Sequence, residues 1–328
     1  MAMADPDVIG AAYLSHLTEA DLRALVHADE VSAAEADARL HALHRAPGLL
    51  LDVLDRRAAS AGLLNLAAAD ADQRFTLISP FLVFAAVIHR LAADLRGSGY
   101  VPERTTPRLR LPIFDGSQLA GYLGDPAHRL FLAELLASFA RSASGVIVTQ
   151  TPHGLRRRRW NDLDVGRLAM LLDALPEPDR PPVWRRLGDL ALFLAGVFPA
   201  AIERALATRL DPARLARITG LASPPGPGLG PTELFEWFGA GWYRLAARNA
   251  ARAAGALPVL TSRGHAADAS GFGAGVSGPA AAKPAAVTVT SATLSDIAEH
   301  FHQARRVLNA AADRYLFPAG GDWLAVPE

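Results

Sequence analysis

The chain has 328 residues, 51% of them hydrophobic, enough to bury a sizeable core in one large domain or two ordinary ones. Its 33 basic and 33 acidic residues cancel, so no global field draws it onto nucleic acid or an anionic membrane, and any such binding needs a local patch. The absence of cysteine excludes thiol nucleophiles, disulfides and Cys-ligated zinc or iron–sulfur centres. The single lysine, Lys283, sits in an Ala/Gly/Pro-rich tract, which argues against Schiff-base and phosphate-loop lysine chemistry.

The first residues, MAMADPDVIGAAYLSHL, carry early acids and no basic segment before an apolar core, so they do not read as a signal peptide. Together with the lack of cysteine this fits a cytoplasmic protein. Residues 8–60 read as short helices. Thr18-Glu19 starts one with Leu22, Leu25 and Val26 on one face, Ser32 to Glu35 has the spacing of a capping box, and Pro47-Gly48 breaks the chain. Phe75–Ile78 is ambiguous between a short strand and an extended entry. Ser79-Pro80 then places a cap and an N1 proline before FLVFAAVIHRLAADLR, apolar nearly all round and therefore central, with Gly97 and Gly99 ending it.

Residues 100–113 hold three prolines and are expected to form an extended crossing loop. A short helix over 115–124 follows, then a longer one over 127–141 with Leu130, Phe131, Leu135 and Phe139 at helical spacing. Val146–Thr149, the turn residues Pro152-His153-Gly154 and Leu155–Trp160 predict a β-hairpin over residues 145–160. Asn161 or Asp162 is expected to cap a helix bearing Leu168, Leu171, Leu172 and Leu175, with Asp162 and Asp164 near its positive dipole end.

Pro176–Pro182 reads as a connector and a candidate boundary between halves 1–175 and 183–253. Leu187–Ile202 is the most apolar stretch, but it contains Asp189 and Pro199 and is shorter than the roughly 20 residues a bilayer requires, so it predicts a buried core helix. Asp211-Pro212 starts another helix. Thr232–Ala253 is a strong one, crowded with Phe235, Trp237, Phe238, Trp242 and Tyr243. Residues 254–290 are poor in large apolar side chains and are expected to be disordered. A long helix over Leu294–Leu316 follows, and Tyr315, Phe317 and Trp323 are expected to dock the tail on the body.

The sites weighed are few. The run Arg156, Arg157, Arg158, Arg159 could contact phosphates of nucleic acid or another anion. A helix pair over 115–141 followed by a hairpin with a basic return strand has the order of a winged helix, with His128 and Arg129 at the start of its recognition helix. Alternate residues of a strand point to opposite faces, so the favoured reading is a structural hairpin whose arginines pair with acids, Asp162 and Asp164 first and Asp189 next. Asp37, His41 and His44 share one helix face at spacings of four and three, which permits metal ligation, although a solvated face is the plainer reading. His89, in the apolar helix, reads as a satisfied core histidine, with a general base as the functional alternative. Phe235–Tyr243 reads as core rather than as a ligand pocket. No GxSxG, HExxH or well-placed phosphate loop occurs, and no cofactor is implied.

Between Phe114 and Pro199 the segments FLAELLASF, SGVIV, the Arg-rich strand ending in NDLD, and RRLGDLALFLAGVFP resemble an uncharacterised family of actinomycete hypothetical proteins. The resemblance carries no activity and no catalytic residue; it implies a soluble bacterial protein. The fold expected is mainly α, a multi-helix globular body with one inserted β-hairpin and a C-terminal helix over 291–328 that returns to it. The function expected is that of a non-enzymatic regulatory or scaffold protein acting through a protein partner, with no membrane involvement. The alternatives are a DNA-binding regulator using 115–160, and an enzyme or small-molecule binder with a pocket between helices.

Overall fold

The computed structural model describes residues 5–29, 33–68, 78–106, 109–140, 144–151, 154–173, 175–208, 211–226, 228–256 and 291–317. The chain divides into two compact units: Met1–Arg141 with Ala195–Ala200 and His302–Glu328, and Ser142–Leu194 with Ala201–Phe301. The connector at 176–182 lies inside the second unit.

The first unit begins with α1 (Pro6–His16), α2 (Glu19–Ala28), α3 (Ala33–Arg45), α4 (Leu49–Asp55) and α5 (Arg57–Ala68). Its centre is α6 (Pro80–Arg96), buried from Phe81 to His89 without a break. A helix apolar on every side is stable only when other elements surround it, and α4, α5 and α8 pack on α6. Each fully buried side chain of the kind of Leu82, Val83 or Phe84 stabilises the fold by about 1.5–3 kcal/mol. The start signal works as read: the Ser79 hydroxyl accepts from the Leu82 amide, and Pro80 opens the helix. The Ser79 amide donates in turn to Asp21 Oδ1 at 2.7 Å. Asp21 Oδ2 closes the capping box of α2 with the Thr18 amide and hydroxyl, so one buried carboxylate fixes two helix starts.

The expected crossing loop at 100–113 is instead a second hairpin. β1 (Val101–Thr106) and β2 (Leu109–Ile113) pair antiparallel, with a bulge between Arg104 and Thr106. Pro102 stands directly opposite Pro112. Neither can donate to the ladder, and a non-hydrogen-bonded position asks neither to do so, which is how prolines survive in this ribbon. Then come α7 (Gly116–Tyr122) and α8 (Pro126–Ser138), the latter capped by Asp125, whose side chain accepts the Ala127 amide. The predicted helix ends are shorter than expected: α8 stops at Ser138.

The second unit opens with β3 (Ser144–Thr151) and β4 (Gly154–Asn161), the hairpin expected near the middle of the chain. The turn residues Pro152 and His153 lie outside the described residues. The following helix is short, α9 (Val165–Ala169), and its cap differs from expectation: the Asp164 side chain accepts the Arg167 amide at 3.0 Å. Asn161 Oδ1 accepts the Leu163 amide in a tight turn, which uses up the side chain that was expected to cap. A single turn of 3₁₀ helix (Glu177–Asp179) leads to α10 (Pro181–Val197), followed by α11 (Pro199–Thr208), α12 (Pro212–Thr219) and α13 (Pro231–Ala256). The aromatic cluster is core, with Phe235, Phe238, Trp242 and Tyr243 buried. Gly188 is required beside it, because a Cβ there would stand 2.5 Å from the Tyr243 ring.

The expected continuous helix at 294–316 is broken into α14 (Ser291–Glu299), α15 (Phe301–Ala311) and a π turn (Ala312–Leu316), with a bend at His300. The chain passes from the second unit to the first between Phe301 and His302. Residues 257–290 of the expected disordered tract, Ser32 of the expected capping box, Phe75 to Leu77 and Trp323 lie outside the described residues; residues 254–256 complete α13. Mainly helical architecture with an inserted hairpin is what the chain adopts. Among the described residues no helix is long and apolar enough to cross a membrane.

Candidate functional site

The densest arrangement of titratable groups lies in the first unit, around His89. α6 carries this histidine on its third turn, at the end of the unbroken apolar run from Phe81 to Ile88. A buried imidazole needs a partner for each nitrogen. His89 Nδ1 lies 2.6 Å from Asp55 Oδ1, and Nε2 lies 3.0 Å from the Tyr13 hydroxyl. Arg129 Nη1 donates to the same Asp55 oxygen at 2.6 Å. Because Arg129 and Nδ1 converge on one acceptor, Nδ1 carries the proton of the neutral ring, and Nε2 accepts from Tyr13. The result is a Tyr–His–Asp chain drawn from α1, α6 and the end of α4, buttressed by an arginine of α8.

The electrostatics follow from burial. Desolvation pushes the His89 imidazole down to about 4, with the Asp55 hydrogen bond opposing. Burial acts to raise Asp55 as well, yet the hydrogen bonds and charges of His89 and Arg129 carry it down to about 2. Burial drives the Tyr13 hydroxyl far above its ordinary range. At neutral pH the cluster therefore holds a neutral histidine, a carboxylate and a guanidinium. A second buried pair lies beside it on the same helices, His16 Nε2 to Glu134 Oε1 at 2.8 Å, with the His16 ring stacked on Phe81. Glu134 Oε2 and Arg129 Nε are buried without a hydrogen-bond partner.

This geometry has the connectivity of a hydroxyl–imidazole–carboxylate relay, but Tyr13 and His89 are both 0% exposed. No substrate reaches the hydroxyl while α1 is in place. His89 is placed as the satisfied core histidine that the sequence favours, not as an accessible general base.

A second cluster in the first unit joins α15 to the β1–β2 ribbon. Arg306 Nε donates to Glu103 Oε2 at 2.9 Å, and its two terminal nitrogens clasp both oxygens of Asp115. Arg305 Nη2 donates to Glu103 Oε1 at 3.0 Å. Arg306 holds Asp115 below the usual carboxylate range. With both oxygens engaged, Asp115 makes no side-chain cap bond to α7, although it occupies the N-cap position. The Tyr315 hydroxyl of the π turn donates to Asp94, and Phe317 meets Phe198 edge-on.

The surface of the same ribbon exposes aromatic rings. Phe114 is 81% exposed and Tyr100 51%, their ring centroids 6.0 Å apart, and Leu111 of β2 is exposed as well.

The residues singled out from sequence fare unequally. Asp37, His41 and His44 do share an exposed helix face, but the His41 and His44 Nδ1 atoms turn back to the Asp37 and Leu40 carbonyl oxygens at 2.7 and 2.8 Å. Among the described residues no group of three or more His, Asp or Glu side chains is arranged to hold a metal ion. The recognition-helix reading of α8 is overturned: His128–Leu136 are buried throughout. Arg129 is spent on Asp55, and His128 stacks on Tyr122 with Nδ1 donating to the Tyr122 carbonyl oxygen. For the Arg run the backbone register is Thr149↔Arg156, Val148↔Arg157, Ile147↔Arg158 and Val146↔Arg159. Of the acids expected to pair with it, Asp162 is buried and accepts from Arg186 at 2.7 Å, Asp164 faces Arg167, and Asp189 accepts from the Tyr243 hydroxyl at 2.9 Å with Arg185 nearby.

Sequence reasoning missed Tyr13, Asp55, Glu103, Asp115, Arg305 and Arg306, and it read Arg129 only as a residue at the start of a recognition helix. The usable signal was His89 itself, since a histidine in an apolar helix demands two polar partners from elsewhere in the chain. Comparison with known proteins finds no matching family model, no similar curated protein and no similar solved structure.

Proposed function

We propose that this chain is a non-enzymatic regulatory or scaffold protein of the cytoplasm, binding a protein partner through the aromatic end of the β1–β2 ribbon. The observation that carries the reading is Phe114, a phenyl ring four-fifths exposed and paired with the exposed ring of Tyr100. Clustered exposed aromatics are characteristic of protein contact sites, where they supply area at small entropic cost. Pro102 and Pro112 remove two amides from the ribbon, so the partner docks through apolar side chains rather than by adding a strand. A photo-crosslinking residue placed at Phe114 in cells is expected to give one discrete protein adduct, lost on Tyr100→Ala. The same probe at Val8, equally apolar and 62% exposed, is expected to give none. Identical adducts from both positions, or none from 114, sink the reading.

A second reading is duplex DNA or another polyanion bound by β4, favoured by four successive arginines on one described strand. It predicts salt-dependent gel mobility shifts abolished by Arg156–Arg159→Ala. Unchanged mobility at low salt would dispose of it.

A further inference from the structure

The register of the β1–β2 ribbon sorts its residues onto two faces. Val101 pairs with Ile113 and Glu103 with Leu111 on one face, and Pro102 pairs with Pro112 and Arg104 with Arg110 on the other. The first face meets the body through Val101, which is buried, and through Glu103, which accepts from Arg305 and Arg306 of α15. Tyr100 and Phe114 flank the ribbon one step beyond the Val101–Ile113 pair, so they extend the second face, where their rings lie 6.0 Å apart. That face is a stripe of three cross-strand pairs: two exposed aromatic residues, two prolines and two arginines. From the aromatic pair to the arginine pair is about 14 Å of extended strand.

The arginine pair sets the charge of the stripe. Like charges directly opposite each other destabilise a ribbon. Residues 100–114 hold a single acid, Glu103, and it stands on the other face, where α15 engages it. Asp115, the next acid along the chain, is clasped by Arg306. A carboxylate placed at the Arg104–Arg110 pair offsets the repulsion, and a guanidinium fork is matched to a carboxylate in shape as well as charge.

We propose that this stripe recognises an extended acidic segment of a partner protein: a large apolar side chain rests on Tyr100 and Phe114, and a carboxylate about four residues away sits between Arg104 and Arg110.

This inference rests on the protein-partner reading above and adds the chemistry of the partner. Aromatic residues and arginine are the types enriched at the centres of protein contacts. Between them Pro112 is exposed and Pro102 half-buried, and neither has an amide to donate. The segment therefore crosses the face without joining the ribbon as a strand, and its central residues are free to vary. A single nucleic-acid strand matches the stripe less well, because it carries a phosphate at every nucleotide while the stripe holds its cations at one end.

Selection of a random phage-displayed peptide library on the full chain tests this. The expected consensus is an aromatic or large aliphatic residue with Asp or Glu about four positions away. With Arg104→Glu and Arg110→Glu together, the same library is expected to yield Lys or Arg at that position, an inversion that loss of folding cannot imitate. With Phe114→Ala the apolar position is expected to lose its preference. Should the charge-reversed chain not fold, replacing the acid of a selected peptide by its amide is expected to weaken binding to the unaltered chain about tenfold. A consensus with an apolar residue but no acid overturns the inference and leaves the protein-partner reading standing. A consensus indifferent to Phe114→Ala removes both. The inference is also overturned if no peptide is enriched, if the charge-reversed chain still selects acidic peptides, if the amide peptide binds as tightly as the acid, if a thymidine oligonucleotide binds more tightly than any selected peptide, or if the stripe instead joins two copies of the chain in a dimer that Phe114→Ala dissociates.

Discussion

His89 shows how one side chain ties local chemistry to global stability. Its ordinary value is 6.5 and its folded value about 4, so between these limits the unfolded chain binds more protons than the folded one. Stability is therefore complete above pH 6.5 and is lost as pH falls toward 4, by on the order of 3 kcal/mol for this group. Asp55 adds a further loss below it, between 3.8 and about 2, as the carboxylate that serves Arg129 and His89 is protonated. Urea unfolding at pH 7 and pH 4.5 is expected to show the fall, and His89→Gln is expected to flatten the part between pH 6.5 and 4; an unchanged profile in the variant would assign the acid sensitivity elsewhere. None of this was readable from the sequence beyond His89. Asp55 is 34 residues away and Arg129 40, and nothing local marks either as its partner.

At the scale of elements, starts were legible and pairings were not. Ser79-Pro80 and Asp211-Pro212 each begin the helix that their spacing predicts, because a cap bond spans only two or three residues. The β3–β4 hairpin was legible for the same reason: its strands are joined by a short turn and carry β-branched residues. The β1–β2 ribbon was not, since its prolines argue against a strand until the opposite proline is seen. That ribbon is held from a distance by α15 through Arg306. Arg306→Ala is expected to cost about 2 kcal/mol, because it strands Asp115 and Glu103 without their charged donor. Arg306→Lys is expected to recover only part, since a lysine cannot clasp both Asp115 oxygens. Denaturant midpoints of the two variants check the order; equal midpoints would show that charge alone, not the forked geometry, secures α15.

At the scale of the whole molecule, the first unit is assembled from three separate stretches of chain. The last supplies Val307, Leu308, Ala311 and Leu316 to its core, together with both clamp arginines. Ending the chain at Phe301 is therefore expected to remove exchange protection from α6–α8 and from the β1–β2 ribbon. Preserved protection in those helices would show that residues 1–141 form a complete core without it. The sequence by itself determined the helical class, the positions of most helix starts, the central place of the apolar helix at 80–96 and the exclusion of cysteine chemistry. These are consequences of composition, of period 3.6 and of bonds between near neighbours. Only the tertiary structure decided that His89 is sealed by Tyr13, that α8 is core rather than a groove-reading helix, that Asp162 serves Arg186, and that the C-terminal helix closes on Glu103 and Asp115. Each of these joins residues far apart in the chain, and the partner of a buried charge is chosen by which groups the packed helices bring within reach, a quantity that no local pattern encodes.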